Sequence, residues 1–125
     1  MLRNSGIIKK MKYGIRYNQG DIVIIPFPFS DLSSIKQRPA IIVSKNEDNA
    51  VQDDIIVAGI TSSLRDTKHS IKIYNDHLEE GFIPKISLIK IDKLFTLDKR
   101  TAIKRVAKVK KDILEKVMAE LRNLF

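Results

Sequence analysis

The chain has 125 residues, a formal net charge of +8 and 43% hydrophobic residues. This is enough for one compact domain and excludes a disordered chain. It has no cysteine, which excludes disulfides, thiolate metal sites and a cysteine nucleophile. No apolar run reaches the roughly 18 residues of a membrane-spanning helix, and the basic N-terminus lacks the apolar stretch of a signal peptide. We therefore expect a cytoplasmic protein without a membrane partner.

The first half of the chain contains short β-branched runs separated by polar segments. We interpret residues 1–18 as a basic extension and residues 19–125 as the folded domain. A strand is predicted at 22–25 and should end at Pro26 and Pro28, because proline cannot donate to a sheet ladder. Two further strands are predicted at 40–43 and 54–60, and the acidic segment 45–53 between them is predicted to be a loop.

The second half continues with short strands and changes its periodicity at the end. Residues 71–73 alternate and predict an exposed strand. Residues 76–84 should form a connector in which Gly81 takes a positive φ. The remaining predicted strands are 86–91, 94–97 and 103–109.

The C-terminal residues are typical of one amphipathic helix. Asp112 is its predicted N-cap. Apolar residues then recur at three- and four-residue spacing: Ile113, Leu114, Val117, Met118, Leu121 and Phe125. With about seven strands and no strand–helix–strand alternation, the chain should form a mostly β barrel or sandwich with a C-terminal helix.

The residue pattern restricts the chemistry that the domain can perform. There is no glycine-rich phosphate loop and no G-x-S-x-G motif. Asp53 and Asp54 are adjacent and would face opposite sides of a strand, so they make a poor metal pair. We expect no metal and no cofactor. A nuclease without a metal needs a base, an acid and cationic donors for the phosphorane. Arg38 and Thr61, both at strand ends, could donate hydrogen bonds of this kind, although either could equally be structural.

The basic excess points to a polyanionic partner, because a pI near 9.8 is high for a small domain. Much of it lies near the C-terminus. Two interpretations of this segment stay open, namely attraction of RNA or a solvated face. The residues concerned are Lys104, Arg105, Lys108, Lys110 and Lys111.

Four blocks in order resemble the PemK/MazF-type toxins of type II toxin–antitoxin systems. They are residues 20–32 (GDIVIIPFPFSDL), 37–43 (QRPAIIV), 56–62 (IVAGITS) and 92–99 (DKLFTLDK). The resemblance implies an SH3-like barrel of the CcdB/PemK type with a C-terminal helix, usually a homodimer. It also implies sequence-selective cleavage of single-stranded RNA, mRNA in particular, that leaves a 2′,3′-cyclic phosphate and a 5′-hydroxyl. A cognate antitoxin would neutralise the enzyme.

By position, Arg38 and Thr61 match the catalytic arginine and threonine of that family. Lys90 and Asp92 lie where some members place a catalytic arginine and aspartate, although a lysine cannot fork onto phosphate and the two could be only a solvated charge pair.

Three more candidates complete the predicted site. Ser87 could line the same groove or be an ordinary strand serine. The loop from Phe29 to Gln37, with Lys36, could close over RNA, and Phe29 could stack on a base. Phe27 and Phe29 could instead belong to the core or to a dimer interface.

Two other functions fit the same fold. One is a non-enzymatic toxin that poisons DNA gyrase, as CcdB-like proteins do. The other is an SH3-like module that binds RNA or peptide without cutting. Arg38 and Thr61 argue against the gyrase poison, which needs no arginine–hydroxyl groove. The four blocks in order are harder to explain for a module that only binds.

Overall fold

The computed structural model describes residues 16–28 and 35–125, which form one seven-stranded antiparallel sheet. The strands are β1 (Asp21–Pro28), β2 (Ile35–Ile42), β3 (Asp54–Thr61), β4 (Ser70–Ile73), β5 (Leu78–Gly81), β6 (Ser87–Asp98) and β7 (Lys104–Val109). The helices are α1 (Asn46–Val51) and α2 (Lys111–Leu124), with 3-10 turns at Asn75–His77 and Lys99–Thr101. The strand order is β4-β6-β3-β2-β1-β7-β5. The sheet curls into a half-barrel, so the predicted mostly β barrel with a C-terminal helix is confirmed.

Helix α2 covers one face of the sheet. Ile113 and Val117 are buried in the main core, against alternate residues of the strands. The apolar stripe continues to Leu124, and Phe125 is 91% exposed. The prediction that Phe125 belongs to the stripe is therefore wrong, because the helix ends one residue earlier. The N-cap is Lys110, and Asp112 lies in the first turn, where a carboxylate interacts favourably with the helix dipole.

A second apolar cluster lies on the opposite face of β1, β2 and β3. Its members are Tyr17, Val23, Ile25, Ala40, Ile42, Ile55 and Val57. Both faces are thus buried along the central parts of these three strands, which explains why their sequences there are continuous β-branched runs rather than apolar–polar alternations.

Strand β1 continues through the two prolines that were predicted to end it. Pro26 pairs with Gln37, and β2 accompanies β1 as far as Pro28. The carbonyl of Ile24 accepts a hydrogen bond from the backbone of Ile103 on the β7 side. Backbone groups two residues apart point to the same side of a strand, so both proline nitrogens face this side. On this side the pairing with β7 stops at Ile24, so neither proline has to donate a backbone hydrogen bond.

The acidic segment 45–53 contains helix α1, so the prediction of a loop there is wrong. Its one buried residue is Asn49, whose amide donates to the carbonyls of Tyr17 (2.9 Å) and Ser44 (3.0 Å). Lys99 Nζ donates to the Asn49 carbonyl at 2.7 Å. Contacts with distant parts of the chain hold this short helix, and local composition does not reveal them.

Two further differences concern the second half. The predicted connector 76–84 contains strand β5, which ends at Gly81 with the expected positive φ of 77°. The strands predicted at 86–91 and 94–97 are one strand, β6. Its register against β3 shifts between Ala58 and Gly59, which are opposite Leu94 and Lys90, so the intervening residues form a bulge.

Candidate functional site

A groove of about 1200 Å³ crosses the ends of β1, β2, β3 and β6 and reaches the β5–β6 connection and β7. Six of its lining side chains are cationic, whereas the acidic residue in its wall is Asp66. The cations are Arg38, Lys85, Lys90, Lys93, Lys104 and Arg105. Within the described residues, the wall therefore favours a polyanionic ligand.

Arg38 and Thr61 lie on neighbouring strands, just beyond the paired part of β2 and β3, which runs from Ala40 opposite Gly59 to Ile42 opposite Val57. Arg38 is two residues from Ala40 and Thr61 is two residues from Gly59, so both side chains are on the face of the sheet that Ala40 and Gly59 share. Both side chains line the groove, so a guanidinium and a hydroxyl can act on one bound group.

The Thr61 hydroxyl is oriented by its own turn. Its Oγ1 accepts a hydrogen bond from the backbone N–H of Ser63 at 3.1 Å. Because a hydroxyl has one donor and two acceptor sites, its proton stays available for a ligand oxygen. Ser87 also lines the groove but is 6% exposed, and its Oγ donates to the Lys85 carbonyl at 2.9 Å. Ser87 can therefore offer a ligand an acceptor.

The Lys90 side chain holds the loop that follows β3. Its Nζ donates to the carbonyls of Asp66 and Lys68, both at 2.9 Å, and lies 3.5 Å from Asp66 Oδ2. The residue is 7% exposed. The backbone N–H of Lys68 and the charge of Lys90 keep the pKa of Asp66 below its usual value. The ammonium is thus directed at the wall of the groove rather than at its open space.

Two other predicted site residues are described and are not brought into the groove. Asp92 and Lys36 are exposed and lie outside its lining. Phe29 lies outside the described residues, as does most of the predicted extension 1–18. Their roles stay predictions.

Aromatic side chains also line the groove, and the sequence interpretation gave Phe82 and Phe95 no role in it. Phe82 is 67% exposed beside the groove, and Phe27 and Phe95 lie within it with ring centroids 5.6 Å apart. The fold also divides the basic C-terminal segment, because Lys104 and Arg105 line the groove while Lys108, Lys110 and Lys111 do not. In the sequence, the one feature that could have drawn attention to Phe82 is its position directly after Gly81, the glycine that ends β5.

In residues 16–28 and 35–125, no group of three or more His, Asp or Glu side chains is placed to hold a metal ion. None of the helices described there is long and apolar enough to cross a membrane.

A family model described as "PemK-like, MazF-like toxin of type II toxin-antitoxin system" matches residues 18–125. The chain belongs to this toxin family. The resemblance seen in the four sequence blocks is therefore confirmed, and the match spans every described strand and both helices. Comparison with curated proteins finds no significant match.

Solved structures share the fold. A crystal structure of MazE–MazF from Deinococcus radiodurans superposes with a TM-score of 0.70 at 21% identity, covering 88% of this chain and 96% of that one. An endoribonuclease from a mycobacterial species gives 0.66 at 18% identity, covering 87% and 90%. A mycobacterial endoribonuclease in complex with its cognate antitoxin gives 0.64 at 18% identity, covering 86% and 91%. The similarity establishes the fold for this chain.

Proposed function

We propose that this chain is a toxin endoribonuclease that cleaves single-stranded RNA, mRNA in particular, sequence-selectively and without a metal ion. The observation that carries the proposal is that Arg38 and Thr61, on adjacent strands, line one groove whose wall has six cations. Membership of the toxin family supports it. So does the likeness to structures named as endoribonucleases.

The reaction is an internal transesterification. The 2′-oxygen of the RNA attacks the adjacent phosphorus, the bond from phosphorus to the 5′-oxygen breaks, and a 2′,3′-cyclic phosphate and a 5′-hydroxyl are left. The 2′-hydroxyl loses one proton and the leaving oxygen gains one, so no water is consumed in this step. The enzyme must stabilise the charge that builds up on the phosphorane oxygens.

Arg38 and Thr61 have complementary parts in this step. The planar guanidinium matches two phosphate oxygens and keeps its charge. A guanidinium keeps its proton in proteins and is a poor base, so charge stabilisation is the role we assign to it. The Thr61 oxygen already accepts a hydrogen bond from the backbone N–H of Ser63, and its hydroxyl donates a hydrogen bond to a non-bridging phosphate oxygen. Lys90 acts as a positioning residue through the loop that it holds.

The biological setting is proposed on the same grounds. Residues 19–125 form the toxin domain, the toxin acts in the cytoplasm as a homodimer, and a cognate antitoxin neutralises it by covering the groove. Neighbours named as MazE–MazF and as a complex with a cognate antitoxin support this. The preformed antitoxin complex should then cut no RNA until the antitoxin is removed, and sedimentation should give the mass of two chains.

The chemistry is tested with one RNA whose cleavage position has been mapped. A single 2′-deoxy substitution at the nucleotide that carries the attacking hydroxyl should abolish cutting, whereas the same substitution one nucleotide further should leave it intact. The product ends should be a cyclic phosphate and a 5′-hydroxyl. Cutting of the deoxy substrate, or 5′-phosphate products, would overturn the proposal. No cutting of any RNA by folded, antitoxin-free protein would favour a gyrase poison or a binding module.

A further inference from the structure

We propose that Arg105 is a second phosphate-binding cation of the groove, which the buried carboxylate of Asp21 positions toward a phosphate next to the scissile one. The inference rests on the proposed function, since it adds a subsite for the same RNA. It gives Arg105 and Asp21 roles that neither the sequence blocks nor the placement of Arg38 and Thr61 in the groove requires.

Arg105 is tied to the sheet by its pairing partners. It lies opposite Val23 on one side of β1, while Arg38 lies opposite Ile25 on the other side. Opposite residues share a face, and residues two apart on a strand share a face as well. The two arginines therefore project from the same face, two strand spacings apart. At about 4.8 Å per strand and 3.4 Å per residue, their Cα atoms are separated by roughly 12 Å. Because each guanidinium is carried on a long side chain, this separation allows the two cations to hold neighbouring phosphates of one strand.

The Asp21 carboxylate lies behind the Arg105 guanidinium. Asp21 is fully buried, and its Oδ2 accepts the backbone N–H of Asn18 at 2.8 Å and lies 3.6 Å from Arg105 NH1. The other oxygen, Oδ1, has no hydrogen-bond partner among the described residues. Burial raises the pKa of Asp21, and the nearby charges of Arg105 and Lys108 oppose this. A buried carboxylate that lacks part of its hydrogen bonds lowers the stability of the fold. A role in positioning Arg105 would account for its presence.

The Arg105 guanidinium is oriented by its ion pairs and still has N–H donors for a ligand. Its side chain is 43% exposed and lines the groove, and its second ion pair, to the exposed Glu80, spans 4.0 Å. A guanidinium has five N–H donors in a fixed fork, so donors are left for a ligand. An arginine that is already oriented loses less side-chain freedom when it binds phosphate. The buried carboxylate thus prepares the cation for its ligand.

A simpler reading gives Arg105 only the task of neutralising Asp21. The two interpretations predict different effects of Arg105 substitutions on RNA binding. If Arg105 only neutralises Asp21, a lysine at position 105 would serve as well, and the count of phosphates bound would not depend on this side chain. If Arg105 contacts a phosphate, the fork matters, and removing the charge removes one phosphate contact.

The test measures binding and cutting on the same full-length protein. Binding uses an RNA with 2′-O-methyl groups throughout, which cannot be cut by 2′-hydroxyl attack, and is followed by fluorescence anisotropy at several salt concentrations. Arg105→Lys should weaken binding about tenfold. Arg105→Ala should weaken it further and lower the slope of log affinity against log salt by about 0.7, the value for one phosphate of a single strand. Arg122→Lys and Arg122→Ala, on the exposed end of α2 away from the groove, are the matched controls and should bind like wild type.

Asp21→Asn separates positioning from charge. It keeps the cation, so the salt slope should stay that of wild type, while affinity should fall several-fold because the guanidinium is no longer held. Wild-type affinity and slope in folded Arg105→Lys and Arg105→Ala proteins would overturn the inference, and thermal unfolding of each sample establishes that it is folded. Intact, Arg105-dependent binding without cutting of ordinary RNA would instead refute the proposed nuclease and leave the subsite standing.

Discussion

Lys90→Met tests whether this lysine acts in the chemistry itself or through the loop that lines the groove. The substitution removes two charge-assisted hydrogen bonds of 2.9 Å and an ion pair of 3.5 Å to a carboxylate that is 76% exposed. Hydrogen bonds to a charged group contribute about 1.5–3 kcal/mol each, and an exposed ion pair contributes about 0–1 kcal/mol.

The sum is an upper bound for the loss of stability. The two freed carbonyls belong to an exposed loop that water can reach, and methionine avoids the cost of burying an ammonium. We therefore expect the free energy of unfolding to fall by about 2–3 kcal/mol. For a domain of this size, this lowers Tm by about 10 °C.

The assay combines unfolding in urea, followed by far-UV circular dichroism, with steady-state cleavage of RNA. Lys72→Met is the matched control, because this residue is exposed on the neighbouring strand β4 and should change stability by less than about 0.5 kcal/mol. With the loop loosened, we expect KM to rise and kcat to fall about tenfold or less. A variant of wild-type stability whose kcat fell by about a thousandfold would refute the positioning role and assign Lys90 to the chemistry.

Three further substitutions test other parts of the structure. Thr61→Ala should lower kcat about a hundredfold, the loss typical of one transition-state donor, and Thr61→Ser should restore most of it; unchanged single-turnover rates in Thr61→Ala would remove this residue from the site. Gly81→Ala should cost at least about 2 kcal/mol of unfolding free energy in urea, because φ is +77° and a Cβ would lie 2.0 Å from the Val106 carbonyl oxygen; wild-type stability would contradict the contact between β5 and β7. Burial raises the pKa of Asp21 above its ordinary 3.8, so the folded state binds the carboxyl proton more tightly than the unfolded state. The contribution of Asp21 to stability should therefore decline as pH rises from about 3.8 through the raised pKa and then level off. Asp21→Asn should lack that decline in thermal unfolding between pH 3 and 7, and an identical pH dependence in both proteins would count against a raised pKa.

The strands and the final helix were predictable because burial imposes a pattern on their residues. Strands packed on both faces need β-branched runs such as 22–25, and one helix packed on a sheet needs the stripe that contains Ile113 and Val117. Helix α1 and strand β5 were not predictable in this way. The contacts of Asn49 with Tyr17 and Lys99 join parts of the chain that local sequence cannot connect.

The candidate site divides in the same manner. The placement of Arg38 and Thr61 in one groove could be anticipated from strand ends and from the family resemblance. The hydrogen bonds of Lys90 to the loop carbonyls could not be anticipated, because the residues that accept them lie 22 and 24 positions away in the sequence. Charge counting along the sequence likewise cannot separate Arg105, which faces the groove, from Lys108, which does not, since only the register of β7 against β1 decides this.

The most direct test of the central proposal is cleavage of a long single-stranded RNA by purified, antitoxin-free protein in excess EDTA. Wild type and Arg122→Ala should cut at the same positions, and Arg38→Ala should not cut, although it melts at the wild-type temperature. Cutting that stops in EDTA and returns with added metal would contradict a metal-independent mechanism, and equal cutting by Arg38→Ala would show that this arginine is not in the active site.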